Sequence, residues 1–286
     1  MATDVRTVGV VGLGTMGAGI AQVCVQAGVD TVGREVTAEL GEGARGRIEH
    51  YLGRAVEKGR LSAADKEAAL GRLTTTTELG ELAGCDLVIE AIVEDLDAKR
   101  AVFSELDAIV APTAVLATNT SALSVAEIAR ATEHPERVVG MHFFNPAPVL
   151  PLVEIVRTEA AADEAVETAI AFAERVGKRP IRCDDTPGFV VNRILIPLLN
   201  DCVRVLDEAG VTPEDLDTAM TGGLSWPIGP CALIDLIGVD VHVHASEALH
   251  AALGEDRLAP PPLLVEMRDA GRLGRKSGRG FFSYDA

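Results

Sequence analysis

One of the six histidines, His142, ends an apolar run that reads as a buried strand, in the stretch GMHFFNPAP at residues 140 to 148. Imidazole is the side chain best suited to exchanging a proton near neutral pH, which oxidation of an alcohol by hydride transfer demands of its base. A core histidine satisfied by its neighbours has the same local signature. The other five, His50, His134, His242, His244 and His250, lie in polar or helical surroundings and read as surface residues.

A second feature with chemical content is GLGTMG at residues 12 to 17. Gly12, Gly14 and Gly17 fit the dinucleotide pattern directly after an apolar strand and at the start of a helix. Glycine there permits the tight turn and lets the backbone approach a pyrophosphate at the positive end of the helix. The plain alternative is an ordinary turn between strand and helix. Glu35, at the end of the second apparent strand, favours the first reading, because a carboxylate there accepts hydrogen bonds from an adenosine ribose. It also favours NAD, since a 2'-phosphate would sit against its charge. NADP stays open because Arg34 is adjacent, although neighbouring side chains in a strand point to opposite faces.

Ligands of an open parallel sheet lie outside the carboxyl ends of its strands. The polar residues expected there are Glu90, Glu94, Asn119, Thr120, Ser121 and His142. Elsewhere, Arg47, His50, Arg54 and Lys58 follow helical spacing and share one face. Such a stripe can hold the phosphates of an anionic ligand, and its alternative is a solvated face offset by Glu49 and Glu57.

These residues need a scaffold, and the hydrophobic pattern supplies one. Up to about residue 184, short β-branched runs alternate with helical patterns, which implies an α/β fold with a doubly wound, mostly parallel sheet. The strands expected are VRTVGVVG, TVGRE, DLVIEAI, AVLATN, VVGMHFF, LVEIV and PIRC. Beyond that point the pattern is helical throughout. Thr186 as N-cap and Pro187 at the first helical position predict a helix to about Glu208. Further helices are expected from near Pro213, Gly229, Asp240 and Pro261, before the glycine-rich tail GRLGRKSGRGFFSY. Two domains follow, residues 1–184 and 185–286.

Composition narrows the partners. The 286 residues carry 26 Lys and Arg against 43 Asp and Glu, a formal net charge of -17. A field of that sign repels nucleic acid and anionic membranes, so neither is an expected partner, and a phosphate-bearing substrate needs a local basic device. The five cysteines are scattered without a CxxC pair, which predicts reduced thiols in a cytoplasm and no metal centre. No secretory leader is evident in MATDVRTVGVVGLG, and the apolar run FVVNRILIPLLNDCVRVL is too often interrupted by polar residues to span a bilayer.

GLGTMGAGIA, VIEAIVEDLDAK, NTSALS, GMHFFNPAPVLPLVEIV, DTPGFVVNRILIPLLN, WPIGPCALIDLIG and GRKSGRGFFSY together resemble the L-3-hydroxyacyl-CoA dehydrogenase family, in particular its short bacterial 3-hydroxybutyryl-CoA dehydrogenases. The similarity covers nearly the whole chain in one order. It implies an NAD-binding Rossmann domain followed by an all-α domain that mediates homodimerisation and borders a substrate cleft. The implied activity is reversible, NAD-dependent oxidation of an (S)-3-hydroxyacyl-CoA to a 3-oxoacyl-CoA, with a short chain such as 3-hydroxybutyryl-CoA or acetoacetyl-CoA. Two alternatives stay open: the same dyad acting on another thioester or a free hydroxy acid, and a non-catalytic nucleotide-binding relative.

By motif, the resemblance implies that His142 is the general base, oriented by Glu154 of LVEIV. Ser121 of NTSALS would hydrogen-bond the reacting oxygen near the nicotinamide, and Asn192 of PGFVVNR would orient the acyl group. Further cofactor contacts would be Met16, Glu94, Lys99, Asn145 and Lys276, beside Gly12, Gly14, Gly17 and Glu35. Coenzyme A would lie on the basic stripe, with Lys58 and Arg54 as its contacts. Local readings compete at several of these positions: Ser121 as a helix cap, Asn192 as a polar interruption of a core helix, Lys99 as a solvated helix residue and Lys276 as a tail residue.

Overall fold

Gly12 sits at φ 84°, a backbone state that favours glycine, and a Cβ on Gly17 would fall 1.7 Å from the Gly12 carbonyl oxygen. Those two requirements shape the first crossover in this computed structural model, which describes residues 4–284. Strand β1 (Thr7–Val11) runs through that turn into helix α1 (Thr15–Gln26). There follow β2 (Asp30–Arg34), α2 (Ala38–Glu57), α3 (Ala63–Gly71), β3 (Leu73–Thr76), β4 (Leu87–Glu90), α4 (Leu96–Ile109), β5 (Val115–Thr118) and α5 (Val125–Ala129). The first unit ends with β6 (Val138–Phe143), β7 (Leu152–Arg157), α6 (Asp163–Arg175) and β8 (Arg179–Asp184).

The eight strands form one sheet in the order β3-β2-β1-β4-β5-β6-β7-β8. Neighbours are parallel except β6 and β7, which are antiparallel. The expected mostly parallel, doubly wound sheet is therefore present. Strands β4, β5 and β6 are buried along their whole length, as strands covered on both faces must be. Val10, Ile89, Ala117, Met141 and Ile155 join one core cluster with Ile20, Ile48, Leu70 and Phe172 from α1, α2, α3 and α6. By strand alternation, Glu90, Thr118, His142 and Glu154 point to the opposite face.

One strand was not expected. Strand β3, with the sequence LTTT, is missing from the strands expected above; it is a short edge strand whose partner is β2. Within β2, Gly33 has a packing role, since a Cβ there would come within 2.7 Å of the buried Leu13 side chain.

The chain divides into two compact units between Thr186 and Pro187, two residues beyond the position read from the pattern. The second unit comprises α7 (Val191–Ala209), α8 (Pro213–Leu224), α9 (Pro230–Ile237), α10 (Val239–Leu253) and α11 (Pro262–Asp269). Helix α7 starts at Val191 rather than at Pro187, because the preceding turn holds Phe189 at φ 47°, outside the right-handed helical region. Leu199, Val203, Ile234, Val239, Val243, Leu264 and Met267 form its main core. Asp235 of α9 anchors the glycine-rich tail: its carboxylate accepts from the Phe281 and Phe282 amides and the Tyr284 hydroxyl at 2.9 to 3.0 Å. Among the described residues, no helix is long and apolar enough to cross a membrane.

His242 is not a surface residue. It lies fully buried in α10, with Nε2 2.9 Å from Asn200 Oδ1, while Nδ1 has no hydrogen-bond partner among the described residues. Burial pushes its pKa down to about 4. Helical periodicity places an inward-facing residue at that position, and Asn200 supplies the one acceptor that makes a neutral imidazole tolerable.

Candidate active site

His142 and Glu154 are cross-strand partners on β6 and β7, and His142 Nδ1 lies 2.6 Å from Glu154 Oε2. Both side chains are almost wholly withdrawn from solvent, at 5 % and 0 % exposure. A carboxylate only accepts hydrogen bonds, so this contact places the ring proton on Nδ1 and leaves a lone pair on Nε2. Ser121 Oγ is 3.0 Å from that Nε2. The Phe144 ring packs against the imidazole at 4.5 Å between centroids, which further limits its rotation.

Ser121 stands in the loop after β5, and Glu94 shapes that loop. Glu94 Oε1 accepts from Thr120 Oγ1 at 2.5 Å, from the Ser121 amide at 2.8 Å and from the Ala122 amide at 3.2 Å. Burial raises the Glu94 pKa, but the Lys99 charge and these hydrogen bonds outweigh it and hold the group below the usual carboxylate value. Lys99 is fully buried, not a solvated helix residue: Nζ lies 2.6 Å from Glu90 Oε1 and 3.4 Å from Glu94 Oε2. Glu90 is buried as well and also accepts from Thr118 Oγ1 at 2.7 Å and from the Ile92 amide at 2.7 Å. Its place at a strand end made it a ligand candidate, but its oxygens are occupied internally. Asn119 is likewise engaged within the protein, its Oδ1 accepting from the Phe143 amide at 2.8 Å.

The glycine turn fits a dinucleotide. Helix α1 has no side-chain N-cap and no acidic residue in its first turn, whereas α2, α3, α4 and α5 are capped by Thr37, Ser62, Asp95 and Ser124. Its first amides are therefore available to an anion. A Cβ on Gly14 would meet open space, and Met16 is half-buried against the core beside it. Glu35 accepts from the Leu13 amide at 2.6 Å through Oε1 and from the Val36 amide at 3.0 Å through Oε2. Each oxygen keeps a lone pair that a ribose hydroxyl can use. Arg34 turns away, donating to the Thr77 carbonyl at 3.1 Å.

Next to this turn, α1, α2 and the segment after β6 enclose a groove of about 490 Å³. Arg47, Arg54 and Lys58 line it, as the stripe predicts, and so does Asn145. His50 does not; it packs edge-on against Tyr51. Arg47 also donates to the Leu13 carbonyl at 2.7 Å, tying the groove to the glycine turn. Arg60 joins the lining and is absent from the stripe because it follows the end of α2, where helical spacing stops applying. In the second unit, Asn192 lies in the first turn of α7, and Lys276 is paired with Asp240 at 2.6 Å.

Comparison with known proteins extends this geometry. The description "3-hydroxyacyl-CoA dehydrogenase, NAD binding domain" matches residues 7–186, and "3-hydroxyacyl-CoA dehydrogenase, C-terminal domain" matches residues 188–284. The chain is 46% identical over 286 residues to a protein of Mycobacterium tuberculosis named 3-hydroxybutyryl-CoA dehydrogenase, covering 99% of this chain and 100% of the relative. It is 42% identical to an Escherichia coli protein named 3-hydroxyadipyl-CoA dehydrogenase, over 100% of this chain and 60% of the relative. The crystal structure of (S)-3-hydroxybutyryl-CoA dehydrogenase from Ralstonia eutropha is similar with a TM-score of 0.96 at 40% identity, covering 99% and 100% of the two chains.

Proposed function

The chain belongs to the 3-hydroxyacyl-CoA dehydrogenase family of NAD-binding oxidoreductases, and from that membership we propose that it interconverts a short (S)-3-hydroxyacyl-CoA and the 3-oxoacyl-CoA, with His142 as general base. The observation that carries this reading is the hydrogen-bonded line Glu154, His142, Ser121 at the carboxyl end of the sheet, beside an uncapped glycine turn.

NAD, when bound, accepts the hydride that leaves C3. The remaining work falls to side chains. His142 Nε2 takes the 3-hydroxyl proton, and Glu154 stabilises the imidazolium that results. Ser121 orients the reacting oxygen, and Glu94 holds the Ser121 backbone in place. Lys99 acts behind Glu94 rather than at the ligand surface, since its ammonium is buried. In the reverse direction the imidazolium returns the proton to the 3-oxo oxygen. Gly12, Gly14, Met16 and Gly17 hold the pyrophosphate side of NAD, Glu35 the adenosine ribose, and Asn145 a further part of the cofactor. The Glu35 charge disfavours a 2'-phosphate, so NADH is used in preference to NADPH.

Arg54 and Lys58 hold the phosphates of coenzyme A in the basic groove, a local exception to a net charge of -17. The roles of Asn192 toward the acyl group and Lys276 toward the cofactor rest on the resemblance of their motifs. Assembly as a homodimer through the second unit rests on the family resemblance, and light scattering tests it.

The test follows nicotinamide absorbance with acetoacetyl-CoA, comparing NADH with NADPH and wild type with His142→Ala. The expected result is turnover with NADH that falls on the order of a thousandfold in the variant while NADH still binds. A variant that keeps a tenth of the wild-type rate overturns the assignment of the base. An inactive wild type redirects the assay to other thioesters and free hydroxy acids. The Escherichia coli relative makes a longer thioester the first of these, and loss of turnover with all of them leaves a non-catalytic nucleotide-binding protein.

A further inference from the structure

Lys178 is a lysine with no carboxylate partner among the described residues and almost no solvent: the residue is 8 % exposed, and burial holds its pKa below the ordinary lysine value. It sits in the turn between α6 and β8, and its Nζ donates to two backbone carbonyls, that of Ala147 and, at 2.9 Å, that of Leu150. The next residue adds a third tie, from the Arg179 amide to the Pro151 carbonyl at 2.7 Å. All three acceptors belong to the segment that leaves β6 after His142 and returns as β7 with Glu154.

That segment is one wall of the basic groove. Asn145, Ala147 and Val149 line it opposite Arg54 and Lys58. Ala147 is buried and seated against α1, where a Cβ on Gly19 would come within 3.2 Å of the Ala147 and Pro148 side chains. The segment's own hydrogen bonds are two turn contacts, from the Val149 and Leu150 amides to the Pro146 carbonyl at 2.9 and 3.0 Å. An amine kept out of water on carbonyls alone carries a desolvation cost that only its hydrogen bonds to the Ala147 and Leu150 carbonyls offset. No element of regular structure would replace it, because the segment has neither helix nor strand between Phe143 and Leu152.

We propose that Lys178 is a positioning residue for the coenzyme A groove: its ammonium clamps the 147–150 stretch of the groove wall, beyond Asn145, without touching the ligand. This rests on reading the groove as the coenzyme A site. Arginine in its place keeps the charge and the donors; methionine keeps the length and loses both.

The experiment compares wild type, Lys178→Met and Lys178→Arg in steady-state kinetics with acetoacetyl-CoA and NADH, in NADH fluorescence titration, and in hydrogen exchange with and without free coenzyme A. In Lys178→Met, KM for acetoacetyl-CoA is expected to rise about tenfold, with kcat and the NADH Kd within about threefold of wild type. The Val149 and Leu150 amides exchange about tenfold faster, and Lys178→Arg recovers part of both changes. A Lys178→Met protein that melts earlier but keeps its KM overturns the proposal, as does one in which kcat and NADH affinity fall together with KM. If Lys178→Met does not fold, Lys178→Arg decides: a raised KM for acetoacetyl-CoA with weaker coenzyme A protection of the Val149 and Leu150 amides than in wild type supports the coupling, and wild-type KM and protection overturn it. A wild type protected by coenzyme A but inactive on acetoacetyl-CoA overturns only the proposed reaction. One that shows neither overturns both readings.

Discussion

His142 and Glu154 stand opposite each other on antiparallel neighbours, so a β-ladder register, not a loop, sets the 2.6 Å contact between Nδ1 and Oε2. An amide at position 154 can present either N–H or C=O to the ring and so releases the tautomer. Glu154→Gln is therefore expected to lower kcat by about 10² to 10⁴, with little change in KM for either substrate. Measurement of kcat and KM for both substrates checks this, and an unchanged kcat would remove Glu154 from the mechanism.

The Glu90 and Lys99 pair is wholly buried, so removing Lys99 strands the Glu90 charge, whereas removing Glu90 leaves Lys99 with Glu94 at 3.4 Å. Lys99→Met is expected to cost about 3 to 5 kcal/mol of stability, and Glu90→Gln less, since Glu94 still faces the ammonium. The double variant loses less than the sum of the two, because no fully buried charge is left unpaired. Denaturant titration of the three proteins against wild type reads the coupling directly, and simple additivity would count against it.

For His242, the sign follows from its depressed pKa of about 4 against an ordinary value of 6.5. Between those values the unfolded chain binds a proton that the native state refuses, so stability rises with pH across the window and is lost as pH falls through it. Its size is about 3 kcal/mol from pH 6.5 down to pH 4. Among the described residues the buried Nδ1 has no acceptor for the added proton, which is the structural cause. Unfolding free energy measured across this range should lose much of its pH slope in His242→Gln, which keeps a donor for Asn200 but does not titrate.

The proposed phosphate recognition by Arg54 and Lys58 predicts an ionic-strength effect. Both are exposed on the groove, so salt screens them. Lys58→Ala should raise KM for acetoacetyl-CoA by about three- to tenfold with kcat unchanged, and should flatten the rise of KM with added salt. Equal salt dependence in variant and wild type would place the phosphates elsewhere.

Much of the fold was legible because its signals are local. The alternation of β-branched runs with helical patterns, the glycine turn and Pro213, Pro230 and Pro262 near helix starts are set by backbone sterics and short-range periodicity. Strand β3 was not legible, since LTTT has one apolar residue and owes its conformation to pairing with β2. The start of α7 was not legible either, because Thr186 and Pro187 make a plausible cap and only the φ of Phe189 rules it out.

The candidate site divides the same way. Residue types and local spacing set the chemistry on offer: an imidazole ending a buried strand, a glycine turn followed by an acidic strand end, and a basic helical face on an acidic protein. Each depends on residue type and spacing within one segment. Tertiary structure alone decided which groups meet and which are spent holding others. His142 meets Glu154 through strand register, Lys99 is consumed by Glu90 instead of facing solvent, His242 is buried on Asn200, and Lys178 reaches across to the segment after β6. Those outcomes turn on burial and on contacts between residues far apart in the chain, and a charged or polar group takes whichever partner the packing brings within hydrogen-bond reach.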